Sequence, residues 1–212
     1  LPMSVLRHTA PMLAGLLLAL STALAAAQPA PPADKPAEQM PPAPPPPGAE
    51  PSPSPLKPGD AFGLEVMLPE RTMVYLKGHT NWDTAFDTLV ESFKTLHAFM
   101  DKEGIAANGP AMTIYTQTDE TGFQFEAAYP IAQTPANPPK GDIAVGPAPS
   151  GKALKFVHRG SYDAMDTTYE AITNYLDDHQ LDAKDLFIEE YTSDPATSNQ
   201  DKLVIDVFVP IK

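Results

Sequence analysis

The sequence lacks cysteine altogether, although it is 212 residues long. Disulfide bonds, a thiolate nucleophile, a cysteine-bound metal and a lipid anchor on cysteine are therefore excluded. Histidine is scarce: the five histidines are scattered, and no pair has the His-x-x-x-His spacing of a helical metal site. No Gly-x-Ser-x-Gly turn or phosphate-binding loop occurs either. These absences predict no metal site, no cofactor and no assigned catalytic residue.

Basic residues are also few. Lys and Arg number 14 against 27 Asp and Glu, which gives a net charge of −13. A phosphate backbone requires a basic face, so this balance and the absence of a helix-turn-helix pattern exclude nucleic acid as a partner. The acidity suits a cationic or neutral ligand, and it is equally typical of a protein whose charge only maintains solubility.

The first 27 residues have the three parts of a secretory signal peptide. Arg7 provides the basic start, residues 12–24 the apolar stretch, and three alanines before Gln28 the cleavage site. The apolar stretch is shorter than the roughly 20 residues of a membrane span. The sequence therefore predicts a periplasmic or otherwise exported protein. An uncleaved signal sequence, the one predicted route to membrane attachment, is the alternative.

Residues 28–58 are rich in proline, with 14 of the 26 prolines in the chain. This composition cannot form a core and predicts a disordered, partly extended linker. The linker is interpreted either as a spacer that holds the domain away from an envelope surface or as an unconstrained connection. Residues 59–212 have the length of one domain.

This domain contains one pattern twice, over about residues 63–131 and 153–211. Val-Tyr-Leu-Lys-Gly at 74–78 aligns with Phe-Val-His-Arg-Gly at 156–160, and the halves end on Tyr-Pro-Ile at 129–131 and Val-Pro-Ile at 209–211. After each glycine, apolar residues recur every three or four positions and predict an amphipathic helix, and the apolar stripe of the second helix includes Tyr162 and Tyr169. Thr80 or Asn81 and Ser161 are the expected caps, and Gly104 the expected end of the first helix.

Strands are predicted where apolar residues alternate with polar ones, at 111–116, 123–131, 186–192 and 203–211. With the aligned segments 74–78 and 156–160 as the first strands, each half has the order β-α-β-β. The predicted fold class is α+β: two β-α-β-β repeats form one antiparallel-rich sheet, with both helices on one face and a ligand cleft on the other.

Alternation within the strands also predicts which side chains face away from the helices. If Met112, Ile114 and Ile188 face the helices, a set of aromatic and acidic residues faces the other way. Aromatic walls with a few carboxylates suit an amphipathic organic cation, although tyrosines and acids are also ordinary on an exposed sheet face. The predicted ligand-binding residues are Tyr115, Glu126, Glu189, Tyr191, Asp206 and Phe208.

Three motifs resemble those of the GyrI-like, or AraC-type effector-binding, family. Residues 78–82 and 158–162 are similar to the loop that enters each helix of that family. Ile-Glu-Glu-Tyr-Thr-Ser-Asp-Pro at 188–195 resembles its Glu-x-Tyr-x-x-Asp-Pro strand and turn, and residues 205–211 resemble its final acidic strand ending in Val-Pro. The likeness extends over about residues 63–212.

The resemblance implies a ligand cleft between two β-α-β-β repeats, with an acid near its centre. By motif position that acid is Glu189, with Tyr191 beside it and Asp206 on the last strand. Glu126 and Tyr115 are partial counterparts in the first half, where Thr113 replaces the acid equivalent to Glu189. Many relatives carry a DNA-binding domain, whereas this chain has the predicted signal peptide and linker.

The function predicted from these features is the binding of a small organic ligand, cationic and amphipathic in character, by an exported domain without a DNA-binding module. Two alternatives remain open. One is an interaction module for an envelope protein, since some relatives contact a protein target. The other is a hydrolase that uses Glu189 as a general base, because burial among aromatic rings would raise the pKa of this carboxyl.

Overall fold

The structure, a computed structural model, describes residues 56–137 and 139–212. The predicted signal peptide (1–27) and residues 28–55 of the predicted linker lie outside the described residues. The described residues form one antiparallel sheet of eight strands with two helices, which confirms the α+β class. The first half contains β1 (Phe62–Leu68), β2 (Thr72–Asn81), α1 (Ala85–Glu103), β3 (Met112–Thr118) and β4 (Gly122–Ile131); the second contains β5 (Ile143–Pro147), β6 (Gly151–Gly160), α2 (Met165–Asp178), β7 (Phe187–Tyr191) and β8 (Leu203–Pro210).

The sheet has an internal two-fold pattern. Its strand order is β1-β6-β8-β7-β3-β4-β2-β5, so each strand of one half has its counterpart at the mirrored position, and β3 and β7 meet at the centre. Each half has one strand more than the sequence predicted, because β1 precedes β2 and β5 precedes β6. Strand β5 lies within residues 132–152, between the two repeats that the sequence predicted.

The two additional strands are exchanged between the halves. Strand β1 pairs with β6 of the second half, and β5 pairs with β2 of the first. The connections at 69–71 and 148–150 therefore pass from one half to the other, and they meet where the Ala148 amide donates to the Arg71 carbonyl at 2.8 Å. Leu68 and Ala148 belong to the same buried cluster as Met112 and Ile188 of the central strands. These connections thus cover the centre of the face opposite the helices.

Both helices begin as predicted, after a short 3₁₀ turn. The Asn81 side chain accepts a hydrogen bond from the Thr84 amide at 3.0 Å, and the Ser161 hydroxyl accepts one from the Asp163 amide at 3.2 Å. Helix α1 ends at Gly104, whose φ of 67° is a left-handed conformation that glycine adopts without strain. The two 3₁₀ turns, Trp82–Thr84 and Tyr162–Ala164, occupy equivalent places in the halves.

The strand register corrects the alignment of the repeat. Leu76 lies opposite Ala127 on β4, and Phe156 lies opposite Val207 on β8, so Leu76 and Phe156 are the equivalent residues. The sequence alignment placed Val74 against Phe156, two residues away. A shift of two residues keeps each side chain on the same face of its strand, and the assignment of faces within β2 and β6 is unaffected.

The core is formed on both faces of the sheet. On the helix-covered face, Leu89 and Phe93 of α1 and Ile172 of α2 pack with strand residues such as Phe125 and Phe156. Burial of each such side chain stabilises the fold by roughly 1.5–3 kcal/mol. A second buried cluster lies on the opposite face, beneath the crossing connections. The sheet is therefore buried on both faces, so the alternation of residues along a strand cannot show which face the helices cover.

Candidate functional site

The structure divides the six predicted ligand-binding residues between the two faces of the sheet. Tyr115, Glu189 and Tyr191 lie on the helix-covered face, whereas Glu126, Asp206 and Phe208 lie on the opposite face. The prediction that all six face away from the helices is therefore wrong. The error comes from Ile188, which was expected to face the helices and instead packs with Phe208 on the opposite face.

On the face opposite the helices, the predicted acids have basic partners. The Asp206 carboxylate lies 2.7 Å from the Lys155 ammonium, which also lies 5.7 Å from the centre of the Phe208 ring. Glu126 lies 4.0 Å from Lys77. Burial raises the pKa of the Glu126 carboxyl, and the charge of Lys77 opposes that rise. These contacts are those of a structural surface with internally paired charges.

A third ion pair holds the crossing connections against the sheet. Arg71, on the connection between β1 and β2, places its Nη2 atom 2.6 Å from Glu190 on β7 and 3.6 Å from the sulfur of Met112 on β3. A surface cavity of about 540 Å³ lies beside these connections. None of the six predicted residues lines this cavity, whose walls are Glu70, Arg71, Thr72, Pro147, Ala148 and Ser150.

Glu189 has a different environment on the helix-covered face. Its side chain is fully buried, with 0% of the residue exposed. One carboxylate oxygen accepts a hydrogen bond from the Tyr169 hydroxyl at 2.8 Å, and the other accepts one from the Tyr191 hydroxyl at 2.7 Å. Tyr169 comes from α2 and Tyr191 from β7, so the carboxylate is held between helix and sheet.

Two further tyrosines complete this surrounding. The hydroxyls of Tyr115 and Tyr162 are hydrogen-bonded to each other at 2.8 Å, and the ring of Tyr115 lies edge-on to that of Tyr169 with centroids 6.4 Å apart. We call Glu189 and these residues (Tyr115, Tyr162, Tyr169 and Tyr191) the tyrosine cage. The sequence analysis assigned Tyr162 and Tyr169 to the apolar stripe of a helix. The presence of tyrosine rather than leucine in that stripe was the available signal, because a buried hydroxyl needs a partner.

The cage contains a carboxylate without a basic partner. Within residues 56–137 and 139–212, no Lys, Arg or His side chain forms an ion pair with Glu189. Burial raises the pKa of Glu189, and the hydrogen bonds from Tyr191 and Tyr169 oppose that rise. Burial, together with the charge of Glu189, holds the pKa values of the four tyrosines well above 10. The hydroxyls therefore remain protonated and act as neutral donors.

The cage is closed where the two helices begin. The rings of Phe86, in the first turn of α1, and Tyr162, just before α2, lie 5.0 Å apart and bridge the two halves. Trp82, in the 3₁₀ turn before α1, has 49% of its surface exposed, packs on Phe123 and donates its indole N–H to the Asp119 carbonyl at 3.0 Å.

Two other features are absent from the part of the chain that the structure describes. No three His, Asp or Glu side chains are close enough together there to hold a metal ion. Neither α1 nor α2 combines the length and the apolar character of a membrane-spanning helix. His158, buried at the end of β6, has both ring nitrogens hydrogen-bonded, to the Thr168 hydroxyl and the Ser161 carbonyl.

Beneath its two helices, the duplicated sheet carries a buried carboxylate surrounded by tyrosines. The model of the GyrI-like small molecule binding domain matches residues 65–212, well over half of the chain. The chain therefore belongs to the GyrI-like family, and the resemblance in its motifs is confirmed. Among proteins with curated functions, none matches this sequence significantly.

Solved structures with the same fold include EcmrR, in a complex with DNA and as its C-terminal domain, and a hydrolase. The EcmrR chain of a complex with DNA superposes with a TM-score of 0.61 at 15% identity, over 71% of this chain and 57% of that chain. The EcmrR C-terminal domain gives 0.56 at 14% identity, over 72% and 98%. A hydrolase from Listeria innocua gives 0.52 at 12% identity, over 72% and 93%. At these identities the likeness shows the fold alone.

Proposed function

We propose that this domain binds a small amphipathic organic cation in the tyrosine cage, with Glu189 as the counter-charge. One observation carries the proposal: a fully buried carboxylate that receives hydrogen bonds from neutral hydroxyls and has no basic partner among the described residues. Membership of a family of small-molecule-binding domains supports the coarser part of the proposal.

A cationic ligand would compensate the cost of this arrangement. Removing a carboxylate from water costs several kcal/mol unless another charge offsets it. On the opposite face, Lys155 and Lys77 provide that charge for Asp206 and Glu126. In the cage the ligand would provide it, while the tyrosine rings attract the cation through their faces and exclude water.

The same environment favours a particular type of cation. The cage offers rings and hydroxyls rather than several carboxylates, so it suits a weakly hydrated charge such as a quaternary ammonium, which gives up little hydration on entry. Of the predicted ligand-binding residues, the proposal retains Glu189, Tyr191 and Tyr115 and adds Tyr162 and Tyr169.

An exported location is a further part of the proposal. It is supported by the basic start, apolar stretch and alanine-rich cleavage site within residues 1–27 and by the proline-rich segment that follows. Residues 1–58 fused to a phosphatase that is active only outside the cytoplasm should give activity. A fusion with Arg7→Glu and Leu17→Arg should lose that activity, and an inactive unaltered fusion would argue against export.

The binding proposal is tested by thermal shift and calorimetry on the full chain. The probes are benzyltrimethylammonium, its uncharged carbon isostere neopentylbenzene, and benzenesulfonate. A ligand at a hundred times its Kd stabilises a protein by roughly 2.7 kcal/mol, a readily measured shift. We expect stabilisation by the cation alone and its loss in Glu189→Gln. Equal binding of all three compounds, or retention in Glu189→Gln, would contradict the proposal.

A second candidate function is hydrolysis with Glu189 as general base. It is favoured by one observation: a carboxyl whose pKa is raised by burial lies 2.7 Å from a tyrosine hydroxyl. If the domain is a hydrolase, mass spectrometry should detect hydrolysis products of a compound whose binding requires Glu189. If every bound compound is recovered unchanged, the domain binds its ligands without hydrolysing them.

A further inference from the structure

One difference between the two halves of the cage lies at its centre, at a pair of equivalent residues on β3 and β7. Thr113 on β3 lies directly opposite Glu189 on β7, and both are fully buried. Thr113 pairs with Ala127 on the last strand of its half, as Glu189 pairs with Val207, so Thr113 and Glu189 occupy matching positions about the centre of the sheet. The chain therefore places a hydroxyl where strict symmetry would place a second carboxylate.

The hydroxyl of Thr113 has a defined direction of hydrogen bonding. Tyr191 has a single hydroxyl proton, which it donates to the Glu189 carboxylate at 2.7 Å. The same Tyr191 oxygen lies 3.1 Å from the Thr113 hydroxyl. Since the Tyr191 proton is already used, Thr113 must be the donor and Tyr191 the acceptor. The hydrogen bonds therefore point in one direction, from the Thr113 hydroxyl to Tyr191 and from the Tyr191 hydroxyl to Glu189.

We infer that Thr113 is a positioning residue that keeps Glu189 ionised and so makes the cage selective for ligands with one positive charge. This inference rests on the proposed function. A hydroxyl that accepts a hydrogen bond becomes a stronger donor, so Thr113 strengthens the bond from Tyr191 to the carboxylate. These hydrogen bonds can point the other way, from Glu189 to Tyr191 and from Tyr191 to Thr113, only when Glu189 is protonated. Every acceptor is then neutral, and a hydrogen bond to a neutral acceptor is weaker than one to a carboxylate.

An acid at position 113 would have the opposite effect. Two carboxylates facing each other across β3 and β7 would share a proton, because like charges at that separation disfavour joint ionisation. The titratable groups that face Glu189 from the neighbouring strands and helix are tyrosines. They are Tyr115 on β3, Tyr191 on β7, Tyr162 just before α2 and Tyr169 within α2. Thr113 is thus the residue that fixes the number of charges in the cage.

The first test needs no ligand. In the full chain with carboxyl-labelled glutamate, the Glu189 signal is identified by its loss in Glu189→Gln and titrated by nuclear magnetic resonance. Thr113→Val, which removes the hydroxyl and keeps the shape, should raise the pKa of Glu189, and Thr113→Ser should return it towards the unaltered protein. An unchanged titration in Thr113→Val would overturn the inference. If valine disrupts folding, Thr113→Ala against Thr113→Ser makes the same comparison.

The second test measures selectivity with benzyltrimethylammonium and neopentylbenzene. Thr113→Val should weaken binding of the cation about threefold to tenfold and leave the affinity for the neutral compound unchanged. Thr113→Ser should restore the affinity for the cation. Equal affinity of the cation for the unaltered protein and Thr113→Val would overturn the inference while leaving the proposed function intact. If the unaltered protein binds neither compound, the proposed function fails, and the titration alone decides the role of Thr113.

Discussion

The acidic side chains on the two faces of the sheet have different partners. On the face opposite the helices, Asp206 and Glu190 lie within 2.7 Å of a lysine and an arginine of the same chain. On the helix-covered face, Glu189 is more deeply buried and is held by tyrosine hydroxyls alone. A protein that compensates its charges internally on one face has left one charge uncompensated on the other, and that difference identifies the candidate site.

The largest expected effect concerns the paired face. Arg71→Met removes the cation that lies 2.6 Å from Glu190 and leaves that carboxylate largely buried and unpaired. We expect a loss of about 2–3 kcal/mol in the free energy of unfolding, measured by denaturant titration. The double variant Arg71→Met with Glu190→Gln should regain most of that loss, because no charge is then left alone. Equal losses in both variants would show that the pairing matters little.

The next effect concerns ligand affinity in the cage. Tyr191→Phe keeps the buried ring against Phe93 and removes the hydroxyl that donates to Glu189. We expect about tenfold weaker binding of benzyltrimethylammonium by calorimetry, since a hydrogen bond to a charged group contributes roughly 1.5–3 kcal/mol. Tyr75→Phe on the opposite face is the matched control and should bind normally. A similar loss in both variants would remove the distinction between the faces.

A smaller effect is the pH dependence of stability that the buried Glu189 contributes. Burial raises the pKa of Glu189 above its ordinary value of 4.5, so between those two values the folded state binds more protons than the unfolded state. Stability should therefore fall as pH rises through this window. The melting temperature of Glu189→Gln relative to the unaltered protein should increase from pH 4.5 upwards. The contribution of His158 is common to both proteins and cancels. A constant difference would contradict the burial of an uncompensated carboxylate.

The smallest effect is expected for Asp206→Asn. Its partner Lys155 remains partly exposed, and ion pairs in contact with water contribute little. Stability should change by less than about 1 kcal/mol, and cation binding should not change. A loss of cation binding would return Asp206 to the candidate site and weaken the comparison between the faces.

Much of the fold was predictable from the sequence because its signals are local. The caps at Asn81 and Ser161, the end of α1 at Gly104 and the strands β3, β4, β7 and β8 all depend on residues a few positions apart. Strands β1 and β5 were missed because their pairing is decided by partners in the other half of the chain. Strand β5 is also short and carries Gly146 and Pro147, which are typical of a loop.

The candidate site was predictable only in part. Alternation correctly placed Glu189, Tyr191 and Tyr115 on one face. The family motif implied that Glu189 is the acid near the centre of a ligand cleft, and that role stays a prediction. Alternation did not reveal which face the helices cover, because Ile188 and its neighbours are apolar on the side opposite the helices as well. Tyr169 was assigned to the helix stripe, since its contact with Glu189 depends on how α2 lies on the sheet.

The exchange of β1 and β5 between the halves determines how a single half would behave on its own. A single half, produced on its own, would have no strand of its own to cover the outer side of β2 or β6. Two copies of such a half could cover each other by trading first strands, and the resulting homodimer would have this same eight-stranded sheet. The strand order of the present domain is that of such a strand-swapped dimer within one chain. Because both halves belong to one chain, they can differ, as they do at Thr113 and Glu189, an asymmetry that no dimer of identical subunits can have.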